Sequence, residues 1–309
     1  MNFAQFAQAN GLMPGDVVPD GKWYRCPTSS HPKRRNGSYK LAPDGRIGWL
    51  QDFAIHPTPL TWRPDGEEEL PPVDFAAIAR RQAAERQALI KATQGARKFY
   101  YDCRALRGGH PYLEAHGLAM AGCLGLRLDK TGALVVPVLF NGNLMSVQRI
   151  SADGEKLFWP GASVKGASYT IERPGASIAV LCEGLATGLA IFAAAPLTRI
   201  VVAFNAGNMP RVAMPMGMVC VASDNDHKTA ARVGRNPGVI AAQEAATALG
   251  CGVAIPEGMA GSDWCDWKNE QITERLANRH KQRESDIRRA VDAQIAAAMA
   301  RHAVFRRGA

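Results

Sequence analysis

Residues 177–196 read "SIAVLCEGLATGLAIFAAAP", and the reading of this stretch decides the fold. "SIAVLC" is an unbroken apolar run, too short for a helix and of the length of a buried strand. It stops at Glu183. "GLATGLAIFAAA" then has the composition of a helix, and Pro196 ends it because proline lacks the N–H that the next turn needs. The pattern repeats downstream. "RIVVAFN" (199–205) and "MVCVAS" (218–223) are strands, and "NPGVIAAQEAATALG" (236–250) is a helix with Pro237 in its first turn and Gly250 at its end. "CGVAIPE" (251–257) is a fourth strand. Strands alternating with helices predict an open parallel sheet with right-handed crossovers.

In such a sheet ligands bind outside the carboxyl ends of the strands. Glu183 follows the first strand, Asp224 and Asp226 follow the third, and Asp263 and Asp266 in "GSDWCDW" (261–267) follow the fourth. Each acid taken alone is an ordinary turn or helix cap. Together they form a cluster of like charges that a cation would neutralise, and hard oxygen ligands of this kind suit Mg²⁺ or Mn²⁺. Such a site points to phosphoryl or nucleotidyl transfer.

The remainder of the chain is organised by its turns and charges. It has 309 residues, 47% hydrophobic, with a net charge of +9, enough for more than one core and too apolar for disorder. No apolar run reaches membrane-spanning length, and "MNFAQFAQANG" lacks the order of a signal peptide, so no membrane partner and a cytoplasmic location are expected. Residues 1–70 form a basic N-terminal β module, with "NG" at 36 and "DG" at 44 between short strands. "RPDGEEELPPVD" closes it as a linker. Residues 71–110 form an Ala-, Arg- and Gln-rich helical connector. Residues 111–176, punctuated by "KTG", "NGN" and "ADGE", predict three or four antiparallel strands. Residues 177–268 are the α/β domain, and 269–309 a basic helical tail with Ile272, Leu276, Ile287, Val291, Ile295 and Met299 at near-helical intervals. The fold class is therefore α+β multidomain.

Positive charge gathers at both ends. Lys22, Arg25, Lys33, Arg34, Arg35, Lys40 and Arg46 stand against Asp44 alone, and they interleave with Trp23, Tyr24, Tyr39 and Trp49. That mixture suits phosphate contact with base stacking, and equally the solvated face of a β module. The tail carries Arg275, Arg279, Lys281, Arg283, Arg288, Arg289, Arg301, Arg306 and Arg307 against Glu274, Glu284, Asp286 and Asp292. Seven cysteines without CxxC spacing predict neither a disulfide framework nor a zinc ribbon. Cys26 and His31 lack partners at zinc-binding spacing, so no zinc is expected. Within 111–176, Arg127, Gln148, Arg149 and Lys165 are polar residues that could face a cleft.

Several motifs carry a family resemblance. "EGLATG" (183–188) resembles the "EGYATG" signature of plasmid- and phage-type DNA primases, with Leu185 where tyrosine is usual. "FNAGN" (204–208), "SDND" (223–226) and "GSDWCDW" follow in that family's order, and Gln148–Ile150, Asp153, Gly154, Lys156 and the "VKG" at 164–166 resemble the part preceding its Toprim domain. The resemblance covers roughly residues 110–267. It implies a Toprim domain in which Asp224 and Asp226 hold a divalent metal, Glu183 acts as general acid/base or as a further metal contact, and Asp263 and Asp266 complete the metal shell. Arg127, Arg149 and Lys165, with Lys33, Arg34 and Arg35 in the N-terminal module, would contact nucleic acid or nucleotide phosphates.

Primer synthesis from ribonucleoside triphosphates on a single-stranded DNA template, for the replication of a phage, plasmid or mobile element, is the implied function. A Toprim nuclease using the same acids and a non-catalytic single-strand-binding accessory are the alternatives. No GxxxxGK[ST] is present, so unwinding would come from a separate replicative helicase.

Overall fold

The computed structural model describes residues 1–56, 58–64, 75–118, 125–278 and 282–306. Most of the "RPDGEEELPPVD" linker, and the tail cations Arg279, Lys281 and Arg307, lie outside these residues. The chain divides into two compact units, Met1–Ala88 and Leu89–Ala309.

The first unit opens with α1 (Phe3–Ala9), absent from the sequence reading. Asn2 caps it, accepting from the Gln5 N–H at 2.9 Å while the Gln5 side chain accepts from the Asn2 N–H. Strands β1 (Tyr24–Cys26), β2 (Gly37–Leu41), β3 (Gly48–Asp52) and β4 (Leu60–Trp62) form an antiparallel meander in chain order. Phe3, Leu12, Cys26, Tyr39, Leu41, Leu50 and Trp62 make the core on one face. A side chain at Gly48 would come within 2.3 Å of the Phe3 ring, so α1 can lie on the sheet only over a glycine.

This packing corrects the expected aromatic surface. Tyr39 is buried, and Tyr24 packs on it at 5.5 Å between ring centroids while its hydroxyl donates to Asp20. The two tyrosines hold the module together, and Trp23 and Trp49 are left toward solvent. Asp52 is fully buried. Burial alone would raise its pKa, but donors from Ala54, Ser30 and Asn36 hold it below the usual carboxylate range.

Helix α2 (Phe75–Asp102) contains the division between the units. In the second unit, β5 (Arg104–Ala105), β6 (Arg127–Leu128), β7 (Leu134–Phe140), β8 (Asn143–Ile150) and β9 (Lys156–Phe158) form a five-stranded antiparallel sheet in chain order, with the short helix α3 (Pro111–Ala115) between β5 and β6. Asn141 and Gly142 both have positive φ, the geometry that "NG" supplies to a two-residue hairpin between β7 and β8.

The chain then enters a second sheet through β10 (Tyr169–Ile171), β11 (Ile178–Cys182), α4 (Leu185–Ala194) and β12 (Thr198–Val202). A 3₁₀ turn (Ala206–Arg211), β13 (Gly217–Ala222), α5 (His227–Val233), α6 (Pro237–Leu249) and β14 (Gly252–Ala254) follow, then α7 (Trp264–Ala277), α8 (Glu284–His302) and β15 (Val304–Arg306). The spatial order is β10-β12-β11-β13-β14. The four central strands are parallel, as expected, but β10 and β15 run antiparallel to their neighbours, so the sheet is mixed. Strand β15 takes the Gly217–Val219 half of the β13 edge, and β14 takes the Cys220–Ala222 half. Residues read as the end of the antiparallel region (β10) and of the tail (β15) are thus edge strands of the α/β sheet.

Every residue of β11 is buried, because both faces of the sheet are covered. On one face Val180 and Cys182 meet Leu189 and Ile191 of α4 and Ile295 and Met299 of α8, in a core that continues to Leu134, Val136 and Ile150 of the antiparallel sheet. On the other, Ala179 and Leu181 meet Ala242, Ala245 and Ala246 of α6. Among the described residues no helix is long and apolar enough to cross a membrane.

Candidate active site

Strand order places the acids. The chain leaves β11 toward β12 on one side and leaves β13 toward β14 on the other, yet β11 and β13 are hydrogen-bonded neighbours. Their carboxyl ends therefore flank the point where the winding reverses, which is where open α/β sheets bind ligands. Glu183 directly follows β11, and Asp224 lies two residues beyond β13.

Close helix–sheet packing fixes the first loop. A side chain at Gly188 would meet Ile200 Cγ2 at 2.9 Å, so the second glycine of "EGLATG" lets α4 sit against β12. Leu185 is 1% exposed, so the usual tyrosine position is filled here by a core side chain. Thr187, also buried, donates from Oγ1 to Asp224 Oδ1 at 3.3 Å and is near enough to Asp263 to pull its pKa down. The motif's threonine, to which the sequence reading gave no role, thus holds an acid that follows a different strand.

The "SDND" loop is laced to its neighbours by amides. Asn225 donates from its N–H to Ser262 O at 2.6 Å and from Nδ2 to Pro256 O at 2.9 Å. Asn236 caps α6, donates to Asn225 Oδ1 and accepts from the Asp226 N–H. Asp226 Oδ2 in turn accepts from the Gly238 N–H at 3.0 Å, and a side chain at Gly238 would collide with Asp224 O at 2.7 Å. Asn225 and Asn236 have no ionisable group to attract notice in the sequence, but they set where the acids stand.

The remaining acids divide by role. Asp263 is the N-cap of α7, accepting from the N–H groups of Cys265 and Asp266 at 2.8 and 2.9 Å. Asp266 Oδ2 accepts from the Ser262 N–H at 2.9 Å. Burial is the largest influence on Asp224 and raises its pKa well above the usual range, with the charges of Glu183 and Asp263 adding to it. Burial also raises Glu183, reinforced by the Asp226 charge and opposed by the Ala206 N–H and by Lys156. Asp263 is raised by burial against the pull of its capped N–H groups.

Glu183, Asp224, Asp226 and Asp263 are thus within electrostatic reach of one another. Among the described residues, however, no three acids, histidines or cysteines converge as a ready-made metal cage. The expected shell of five carboxylates around one ion is not formed. The donor set still fits Mg²⁺, which takes one or two carboxylates and completes its octahedron with water and substrate phosphate.

The expected basic residues are placed differently. Arg149 pairs with buried Asp129, Nε to Oδ2 at 2.7 Å, and lies over the Phe99 ring. Arg127 donates to Cys103 O at 2.7 Å and lies over Tyr100. Both are held by their own surroundings. Lys165 is exposed and lines a cleft of about 390 Å³ with Ser163, Asn205 and Arg211, beside the "FNAGN" segment. Asn208 of that segment donates to Ala167 O and Ala203 O and accepts from the Gly166 N–H, so it ties the "VKG" loop to the sheet. Lys33, Arg34 and Arg35 are exposed on the first unit. Lys156 of β9, whose charge acts on Glu183, is a cation that the sequence reading quoted without assigning it a role.

A parallel sheet with glutamate after one central strand and Asp-x-Asp after its neighbour defines the Toprim class of domain, and residues 178–274 match the Toprim domain family. Beyond that domain the chain is similar to DNA primases of the plasmid type. It is 27% identical over 290 residues to a DNA primase TraC of Escherichia coli, covering 82% of this chain and 19% of that protein. To a second DNA primase TraC of Escherichia coli it is 28% identical over 284 residues, covering 82% of this chain and 26% of the relative. The chain thus spans about a fifth to a quarter of the length of these relatives. Among solved structures, the primase fragment of the bacteriophage T7 primase-helicase protein superimposes with a TM-score of 0.37 at 15% identity, over 57% of this chain and 78% of that one.

Proposed function

We propose that the second unit is a primase-type nucleotidyltransferase that builds short RNA primers on single-stranded DNA in phage, plasmid or mobile-element replication. One observation carries the reading: Glu183 and Asp224 follow neighbouring strands at the winding-reversal point of the sheet, where burial raises both and the charges of Glu183 and Asp263 raise Asp224 further, without a cation paired to these acids in the described residues. A merely structural acid would have its hydrogen bonds completed and its pKa held low, as Asp129 and Asp52 do.

In this reading Asp224 and Asp226 hold Mg²⁺ or Mn²⁺, which supplies charge stabilisation to the transferring phosphoryl group. Glu183 accepts the proton of the attacking 3′-hydroxyl while the new bond to the α-phosphorus forms and the bond to the departing diphosphate breaks. Burial raises its pKa, which makes its carboxylate a stronger base. Thr187 holds Asp224 in place through its hydroxyl. Lys165 and Arg211 in the adjoining cleft offer charge to nucleotide phosphates. Lys33, Arg34 and Arg35 would meet the template. Arg149, paired with Asp129, and Arg127, bonded to Cys103 O, are assigned to holding their sheet rather than to phosphate contact. Unwinding is assigned to a separate helicase.

The test is incubation with single-stranded DNA, labelled ribonucleotides and Mg²⁺ or Mn²⁺, beside D224N/D226N. Short labelled products from the wild type alone are expected. Degraded template would establish the nuclease instead, and binding without any turnover the accessory protein.

A further inference from the structure

The first unit presents a sheet face that the core does not use. Tyr24, Tyr39, Leu50 and Leu60 point to the core, so strand alternation turns Arg25, Lys40, Trp49 and Thr61 the other way. Pairing aligns them in rows. Lys40 lies opposite Trp49, and Trp49 opposite Thr61; one row along, Arg25 and Gln51 flank Ser38. Trp23, just before β1, is 49% exposed, and Phe53, just after β3, is 48% exposed.

Rings and cations alternate on this face. Lys40 Nζ is 5.0 Å from the centre of the Trp49 ring, and the Arg25 guanidinium is 4.4 Å from that of Phe53. Arg25 is fixed flat there by two bonds to Arg35 O, at 3.0 and 2.6 Å. Lys33, Arg34 and Arg35 continue the positive charge along the loop leading to β2. The acids of the described part of this unit lie elsewhere. Asp20 is bonded to Tyr24, Glu85 to Lys22, Asp52 is on the core face, Asp44 is in the β2–β3 turn, and Asp16 is in the loop whose carbonyl holds Tyr39.

We infer that this face binds single-stranded DNA, with bases stacked on Trp23, Trp49 and Phe53 and phosphates met by Lys40 and Lys33–Arg35. Exposed Trp23 and Phe53 beside partly exposed Trp49 offer stacking surface to unpaired bases, and none to a duplex, whose bases are already stacked, or to a free phosphate. The inference rests on the proposed primase reading for the choice of DNA; the ring-and-cation face itself does not.

The test is fluorescence anisotropy of a labelled oligothymidine with the full-length chain and its variants, followed by primer synthesis on the same preparations. W23A/W49A is expected to bind about tenfold or more weakly, and W23A/W49F to recover part of the loss. A duplex of equal length should bind more weakly than the single strand. Should W23A/W49A lose its circular dichroism spectrum, W23A and K40A alone, both outside the core, are each expected to weaken binding about threefold or more. Binding of the folded variants within twofold of the wild type, a duplex held as tightly as the single strand, or an oligouridine held more tightly than oligothymidine would each overturn the inference. Failure of primer synthesis with the W23A/W49A effect intact would count against the primase reading alone.

Discussion

Two acid sites in the second unit have opposite chemistry. Asp129 is buried on the antiparallel sheet, and burial by itself would raise its pKa. Thr131, Arg149 and the N–H groups of Ala133 and Thr131 outweigh this and hold it low. Asp224 stands at the end of the parallel sheet with one hydroxyl donor and several negative neighbours, and its pKa is driven up. The same side chain has a lowered pKa where the fold completes its hydrogen bonds, and a raised one where burial and like charges outweigh a single donor.

The largest break in that comparison is functional. D224N/D226N should reduce nucleotide incorporation by on the order of 10²–10³-fold, the usual scale for removing a transition-state charge partner, read by gel analysis of labelled products. R149A should leave the proposed active-site acids in place but strand Asp129 without its cation. Arg149 is 35% exposed, which screens the pair, so we expect about 2–3 kcal/mol of lost stability by urea denaturation. T187V removes the donor to Asp224 with little change of volume, and activity should fall by up to about tenfold with the melting temperature nearly unchanged.

The smallest effect sharpens the contrast by its sign. An acid with raised folded pKa makes the folded state bind more protons, so its stability contribution worsens as pH rises from about 4, the unfolded value, through the folded one. In chelator, D224N should therefore be more stable than the wild type at neutral pH, by about 1 kcal/mol, and indistinguishable below pH of about 4. Asp129 has the opposite sign. Its contribution is present above about pH 4 and is lost as pH falls through its lowered folded value, so the wild type should be more stable than D129N at neutral pH and lose that advantage in acid.

Much of the α/β unit was legible because its signals are local. "SIAVLC" is apolar at every position because β11 is covered on both faces, and Pro237 and Gly250 mark the ends of α6 through backbone constraints carried in the sequence. The "NGN" hairpin was legible for the same reason, since Asn141 and Gly142 must take positive φ. Helix α1 was not, because about two turns of "FAQFAQA" have meaning only against Gly48 and Trp62. Strand β15 was not, because three residues after a helix have no pattern of their own until the β13 edge pairs them.

The sequence alone determined the strand–helix alternation, the order in which the acids arrive, and the "EGLATG" and "SDND" motifs that mark a Toprim domain. Only the tertiary structure made β11 and β13 neighbours, and so brought Glu183 and Asp224 together from positions 41 residues apart. It also gave Arg149 to Asp129, sent Tyr39 into the core and put the Thr187 hydroxyl on Asp224. Local backbone preference is written residue by residue, whereas whether a charge is paired or left open depends on which distant segments the sheet order brings beside it.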